Sequence, residues 1–206
     1  MERASNLLVK QLKTPRPRRG SPEQTRERLI ASAAALFNRF GYERTDSNRI
    51  ARGAGYATGT FYKHFKDKRE IFLAAYQKWV SAEWKAVEKE LSAGGSPEEI
   101  ARRLVSSAID FHTRWRRFRA SLQRLVFVDP AVGQFYRAQR RRQLETISKL
   151  RASRGGAPRP KEEDAIHLFT TERVFDAIAN GEIQGLGLDR NAVIECMVGQ
   201  VTAVLS

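Results

Sequence analysis

The chain has 206 residues, 41% hydrophobic and 29% charged, which is enough apolar material for a core and excludes a wholly disordered chain. Its formal net charge of +14 favours a polyanionic partner, and the excess is uneven: residues 1–78 hold 17 Lys and Arg against 7 Asp and Glu, whereas residues 79–206 hold 20 against 16. The single cysteine, Cys196, excludes an internal disulfide, no apolar run approaches the ~18 residues of a membrane span, and no signal-peptide stretch opens the chain, so a cytoplasmic protein is expected.

Residues 1–20 end in Thr14-Pro15-Arg16-Pro17-Arg18-Arg19-Gly20. Nothing in them is periodic, and they read as a disordered basic arm whose Arg16, Arg18 and Arg19 are candidates for minor-groove contacts. A first helix starts at Ser21-Pro22, with Gln24 completing a capping box. Its apolar face is Leu29, Ala33, Leu36, Phe37 and Phe40, and Gly41 ends it. A short second helix is capped by Thr45, Asp46 or Ser47, buries Ile50, Ala51 and Ala54, and stops at Gly55. A third runs through Thr60-Phe61-Tyr62-Lys63-His64-Phe65, and a fourth begins at Asp67, with Glu70 as its capping-box partner.

Beyond a break at Ser92-Ala93-Gly94-Gly95, Ser96-Pro97-Glu98-Glu99 restarts the helical pattern, which is clear to Trp115 and less sharply bounded to Val128. Asp129-Pro130 opens another helix to about Leu150. Arg154–Pro160 reads as a surface loop, a helix covers about 161–180, and three glycines precede a last helix near Asp189. No segment alternates with period two. The expected fold is all-α, about nine helices, divided as 1–20 arm, 21–66 head and 67–206 body.

The second and third helices are short and joined by a tight glycine-containing turn, the layout of a helix-turn-helix whose second member enters the major groove of DNA. At 100° per residue, Phe61 and Phe65 share one face and should pack on Phe37, Phe40 and Ile50. Gly59, Thr60 and Lys63 then point away. Gly59 allows close backbone approach to DNA, Tyr62, His64 and Lys68 suit phosphate oxygens, and Thr58, Thr60 and Lys63 are candidates for base edges.

The stretch 29–45, then Ile50-Ala51-Arg52-Gly53-Ala54-Gly55, then Gly59-Thr60-Phe61-Tyr62-Lys63-His64-Phe65-Lys66-Asp67-Lys68, resembles the tetracycline-repressor (TetR) family of bacterial regulators. The resemblance covers about residues 25–75. It implies a three-helix DNA-binding head, a linking fourth helix, and a variable body that binds a small molecule and dimerises through its last two helices. The positions matching the family's DNA contacts are Thr45, Ser47, Thr58, Thr60, Tyr62, Lys63, His64 and Lys68. Ala57 stands where a capping Ser or Thr is usual, so Thr58 is expected to take that role, and Tyr56 replaces a small aliphatic residue. Family position also points to Phe111, Trp115, Phe118, Phe127 and Phe135 as the lining of a largely apolar pocket.

The arginines between Arg102 and Arg142 read mostly as a solvated face, with a minority placed to attract an acidic ligand. Val174 and Ile178, then Val193, Met197 and Val201, give apolar surface for a two-fold dimer on a palindromic operator, and Cys196 should pack beside Ile194, Met197 and Val198. His64, His112 and His167 show no metal-ligand spacing, and no nucleophile elbow or phosphate loop occurs, so neither an enzyme, a metal site nor a cofactor is expected. The resulting expectation is a repressor released from its operator by a small ligand. An architectural DNA-coating protein and a helical interaction scaffold remain the alternatives.

Overall fold

The computed structural model describes residues 21–153 and 155–205. Among these, the chain forms nine helices and no strand: α1 (Pro22–Phe40), α2 (Ser47–Gly53), α3 (Thr58–His64), α4 (Lys68–Ser92), α5 (Pro97–Val128), α6 (Pro130–Ser153), α7 (Lys161–Ala179), α8 (Glu182–Gly185) and α9 (Arg190–Leu205). The basic arm, with Arg16, Arg18 and Arg19, lies outside the described residues.

Local chemistry sets the helix starts. The Ser21–Gln24 and Ser96–Glu99 capping boxes both form, each with proline in the first turn. Asp46 caps α2 through Arg49 N at 2.8 Å. Asp67 caps α4 through Glu70 N at 2.8 Å, but the Glu70 carboxylate takes the Lys66 N–H, one residue earlier than a capping box requires. Gly41 ends α1 at φ 79°, a backbone region that L side chains avoid. The one-turn α8 was hidden in the sequence by its glycines, and Arg116–Val128 continues α5 rather than forming a separate element.

α5 is the central element, packing on α1, α4, α6, α7 and α9. It bends at Trp115 (φ −106°, ψ 16°), and the bend divides the interior in two. Before it, Ala101, Val105 and Ile109 join Phe175, Ile178, Met197 and Val198 in one core. After it, Phe118, Leu122 and Leu125 join a second core of Leu29, Phe37, Ile50, Phe61, Phe65, Phe72, Tyr76 and Trp79. The packing boundary thus falls at the bend in α5 and not at 66/67, because the first half of α4 buries Ile71, Phe72 and Ala75 with the head.

The bend is held from outside the helix. Asn38 Nδ2 donates to Arg114 O at 2.6 Å, and Asn38 Oδ1 accepts from Phe118 N at 3.3 Å. These two backbone groups, four residues apart, would pair with each other in a regular α-helix. Here one amide side chain from α1 satisfies both. Arg117 Nη1 to Arg39 O at 2.5 Å, and Tyr42 N to Ser121 Oγ at 3.1 Å, extend the same seam. The far half of α5 is therefore fastened to the end of α1.

Candidate nucleic-acid interface

α3 is anchored as its spacing requires. Phe61 is fully buried, and Phe65, at its C-cap, nearly so. Both meet Phe37 and Ile50 in the shared core, each burial contributing about 1.5–3 kcal/mol. Phe40 is the exception to that expectation. It stays half-exposed, lying beneath the guanidiniums of Arg39 and Arg49 at 5.0 and 4.4 Å.

The opposite face of α3 is open. Tyr62 is 59% exposed, Gly59 and Lys63 are exposed, and Thr60 and His64 are half-exposed. A Cβ built on Gly59 meets no protein atom within 4 Å, so free space begins at the backbone there. Arg52 and Lys66 add exposed positive charge beside it. This surface offers hydroxyls, an imidazole and ammonium groups, suited to phosphate oxygens and base edges.

Three of the expected contact residues are engaged within the protein. Thr45 is buried, and its hydroxyl donates to Gly41 O at 2.9 Å, so it ties the α1–α2 turn and presents no side chain outward. Thr58 does not cap α3. Ala57 holds the N-cap position without a side-chain bond, and Thr58 instead donates to Asn48 Oδ1 at 2.7 Å, joining α3 to α2. Lys68 lies on the Tyr42 ring at 4.0 Å and donates to Tyr42 O at 3.1 Å, leaving part of its ammonium available. Ser47, the first residue of α2, is half-exposed.

The body holds a cavity of about 40 Å³, room for about three waters. It is lined from α4 by Tyr76, Trp79, Val80 and Glu83, from the far half of α5 by Arg119, Leu122 and Gln123, from α6 by Tyr136, Arg140 and Gln143, and from α7 by Glu172. None of the five aromatic residues expected to line a pocket does so. Phe118 is fully buried in the core, Phe111, Trp115 and Phe135 pack against that core, and Phe127 is 88% exposed at the end of α5. The wall mixes charged and polar groups with aromatic and aliphatic ones instead of being largely apolar.

Most arginines between Arg102 and Arg142 are exposed, as expected for a solvated face, but the two that line the cavity are neither solvated nor a free anion trap. Arg119 is buried and bidentate to Asp176 at 2.6 and 3.0 Å, and Arg140 is bidentate to Glu172 at 2.5 Å for both bonds. His112 Nδ1 meets Asp176 Oδ1 at 2.8 Å. Burial lowers the His112 pKa and leaves the ring neutral near pH 7. Burial works against ionisation of Asp176 and Glu172 too, but hydrogen bonds from His112 and Arg119 hold the first well below the usual carboxylate range, and the hydrogen bond from Arg140 lowers the second. Glu83 has no hydrogen bond of that kind: its neighbour at 3.8 Å is the neutral His112 ring, and burial, with the nearby Glu172 charge, outweighs the pull of Arg119 and Arg140 and pushes its pKa up to about 7.

This polar group had a legible signal. Tyr76, Trp79, Val80 and Glu83 occupy one helical stripe at i, i+3, i+4 and i+7, and Glu172 and Asp176 share another. A charged residue on a core stripe marks a buried network better than aromatic content does.

Of the expected dimer residues, Ile178 and Met197 are buried against α5 within one chain, while Val174, Val193 and Val201 are half-buried around the same core. Cys196 is exposed, contrary to a packing role, because Met197 and Val198 occupy the side of α9 that faces α5. No described helix is long and apolar enough to cross a membrane, and no cluster of three described His, Cys, Asp or Glu could hold a metal ion.

An all-helical body carrying a short helix anchored by two phenylalanines, its outer side open and basic, defines a helix-turn-helix protein. Residues 29–75 match the family described as bacterial regulatory proteins, tetR family. Over these residues the chain is similar to the DNA-binding region of that family. The HTH-type transcriptional regulator YerO of Bacillus subtilis (strain 168) is 29% identical over 90 residues, 42% of this chain and 31% of that protein, so the match spans about a third of the relative's length. The fatty acid degradation regulator FadR from Bacillus halodurans superposes with a TM-score of 0.60 at 17% identity, over 90% of this chain and 97% of that one. A transcriptional regulator from Saccharomonospora viridis, solved in complex with choline, gives 0.63 at 21% identity, over 88% and 95%. At such identities the likeness is one of fold.

Proposed function

We propose that the chain is a one-component transcriptional regulator that binds double-stranded DNA as a homodimer through α3 and is released from its operator by a small molecule held in the body. The observation that carries the reading is the outward face of α3: Gly59, Tyr62 and Lys63 stand open while Phe61 and Phe65 are locked inward. Ser47, Thr60 and His64 flank that face, and the free part of Lys68 extends it.

Coupling has a physical route. The far half of α5 both lines the cavity, through Arg119, Leu122 and Gln123, and is fastened to α1 by Asn38. A ligand that favours one setting of this half-helix biases the placement of the head, by no more than its differential affinity for the two settings. Two heads require a dimer. Ile166, Phe169, Leu186 and Leu188 are exposed apolar residues on the α7–α9 side, and together with Val174, Val193 and Val201 they offer a surface that a second copy would cover. Ile178 and Met197 support that surface from beneath.

The test is selection of binding sites from random duplex DNA with the full chain, then affinity for the enriched and for random sequence at one salt concentration. The reading expects an enriched two-fold symmetric site, bound at least about 1,000-fold more tightly than random DNA. A ratio near one fits the DNA-coating alternative, for which the net charge of +14 would suffice. No binding even at low salt removes both.

A further inference from the structure

The cavity's chemistry narrows what it can hold. Around it and behind it stand three carboxylates, Glu83, Glu172 and Asp176, against two guanidiniums, Arg119 and Arg140. Both guanidiniums are matched, Arg119 by Asp176 and Arg140 by Glu172. His112 directs Nδ1 to Asp176, so its neutral form, donating there, turns an unprotonated Nε2 toward Glu83 at 3.8 Å. Glu83 is therefore one negative charge in excess, buried to 16% exposure. A buried charge without a partner is costly, and it is relieved by a proton or by a cation from outside.

Two donors in the same wall lack acceptors. Trp79 Nε1 and Arg140 Nε are buried and meet no hydrogen-bond partner, and Trp79 is only 5% exposed. Trp79 and Glu83 are one helical turn apart on α4, so donor and acid are neighbours. Tyr76 and the ring of Trp79 supply apolar wall between them. Space for about three waters excludes a long chain and suits a molecule of about four non-hydrogen atoms.

We propose that this cavity recognises a compact organic cation that also carries an accepting oxygen, as a small amino alcohol does, with its ammonium group on Glu83 and its oxygen on Trp79 Nε1 and Arg140 Nε. The inference rests on the reading of the body as a ligand-binding unit and names the class of ligand. It replaces both the acidic and the largely apolar ligand that the sequence suggested, since every arginine reaching the cavity is already matched by a carboxylate.

Three probes of similar size separate the contributions: ethanolamine (protonated at pH 7.5) and its neutral isostere propan-1-ol, each of four non-hydrogen atoms, and the slightly larger anion glycolate. They are titrated calorimetrically into the full chain, without DNA. Four heavy atoms limit the Kd to roughly tens of micromolar at best. Ethanolamine is expected to bind at least about 10-fold more tightly than propan-1-ol, and glycolate not at all, a tenfold ratio being what one retained charge contact supplies. Glu83→Gln, which keeps the volume and removes the charge, should reduce ethanolamine to the level of propan-1-ol, and Trp79→Phe should weaken ethanolamine and propan-1-ol alike. Equal binding of ethanolamine and propan-1-ol, preferential binding of glycolate, undiminished ethanolamine binding by the Glu83→Gln chain, or no ethanolamine binding overturns the proposal. DNA affinity is then measured with and without ethanolamine. Binding without DNA release leaves the ligand class standing and removes the release mechanism, whereas release by some other molecule without ethanolamine binding does the reverse.

Discussion

Asn38→Ala perturbs the structure at a single defined point. The side chain gives one hydrogen bond to Arg114 O at 2.6 Å and takes one from Phe118 N at 3.3 Å, bridging the bend in α5. Truncation orphans both backbone groups. The Arg114 carbonyl lies in an exposed setting, where water replaces the amide at a cost of about 0.5–1 kcal/mol. The Phe118 N–H is partly buried, and leaving it unpaired costs about 1–2 kcal/mol. The sum is about 2 kcal/mol, or a fall in Tm of about 4–8 °C for a chain of this size. Asn38→Asp keeps the acceptor for Phe118 but sets a carboxylate against the Arg114 carbonyl, so it should be no better than alanine. Thermal unfolding followed by circular dichroism gives the number. A shift below about 1 °C in both variants would mean that α5 bends for reasons of its own and that Asn38 does not hold the two halves of the molecule together.

Two further outcomes follow from the same geometry. Lys63→Ala should change which bases are preferred at one position of the selected DNA site, whereas Tyr62→Phe and His64→Ala should weaken all sequences about equally; the checking measurement is site selection repeated with each variant. Glu83→Gln should alter the pH dependence of stability. The native chain keeps a proton on Glu83 up to about pH 7, while an ordinary carboxylate releases it near 4.5. Stability from this group is thus full at low pH and is lost as pH rises through 7. The unfolding free energy of Glu83→Gln should gain on the wild type by about 3 kcal/mol between roughly pH 4 and 8, as chemical denaturation across that range would show.

The head could be read from the sequence because its determinants are local. Ser21, Asp46 and Asp67 cap the next few amides, and Phe61 and Phe65 share a face whatever the rest of the chain does. Thr45 escaped that logic: its hydroxyl is turned inward by the path of the α1–α2 turn, which no spacing reveals. The cavity escaped it for a different reason. Phe111, Trp115 and Phe135 are as apolar as pocket residues, and only the three-helix environment of α4, α5 and α6 decides that they complete a core while Trp79 and Tyr136 border a space. Likewise Ile178 and Met197 were visible as an apolar face, but whether α5 or a second chain covers it is settled by tertiary packing. The bend at Trp115 carries no proline or glycine, and the side chain that bridges it, Asn38, lies 77 residues away.

The claim that α3 enters a DNA groove is tested most directly at Gly59. A side chain there meets no protein atom within 4 Å and no positive φ, so Gly59→Leu should fold normally and melt at or slightly above the wild-type temperature. If the backbone of α3 approaches DNA, the same side chain occupies the space the duplex needs, and affinity for the selected site should fall at least about 100-fold at constant salt. A Gly59→Leu chain that binds as tightly as the wild type would contradict the account.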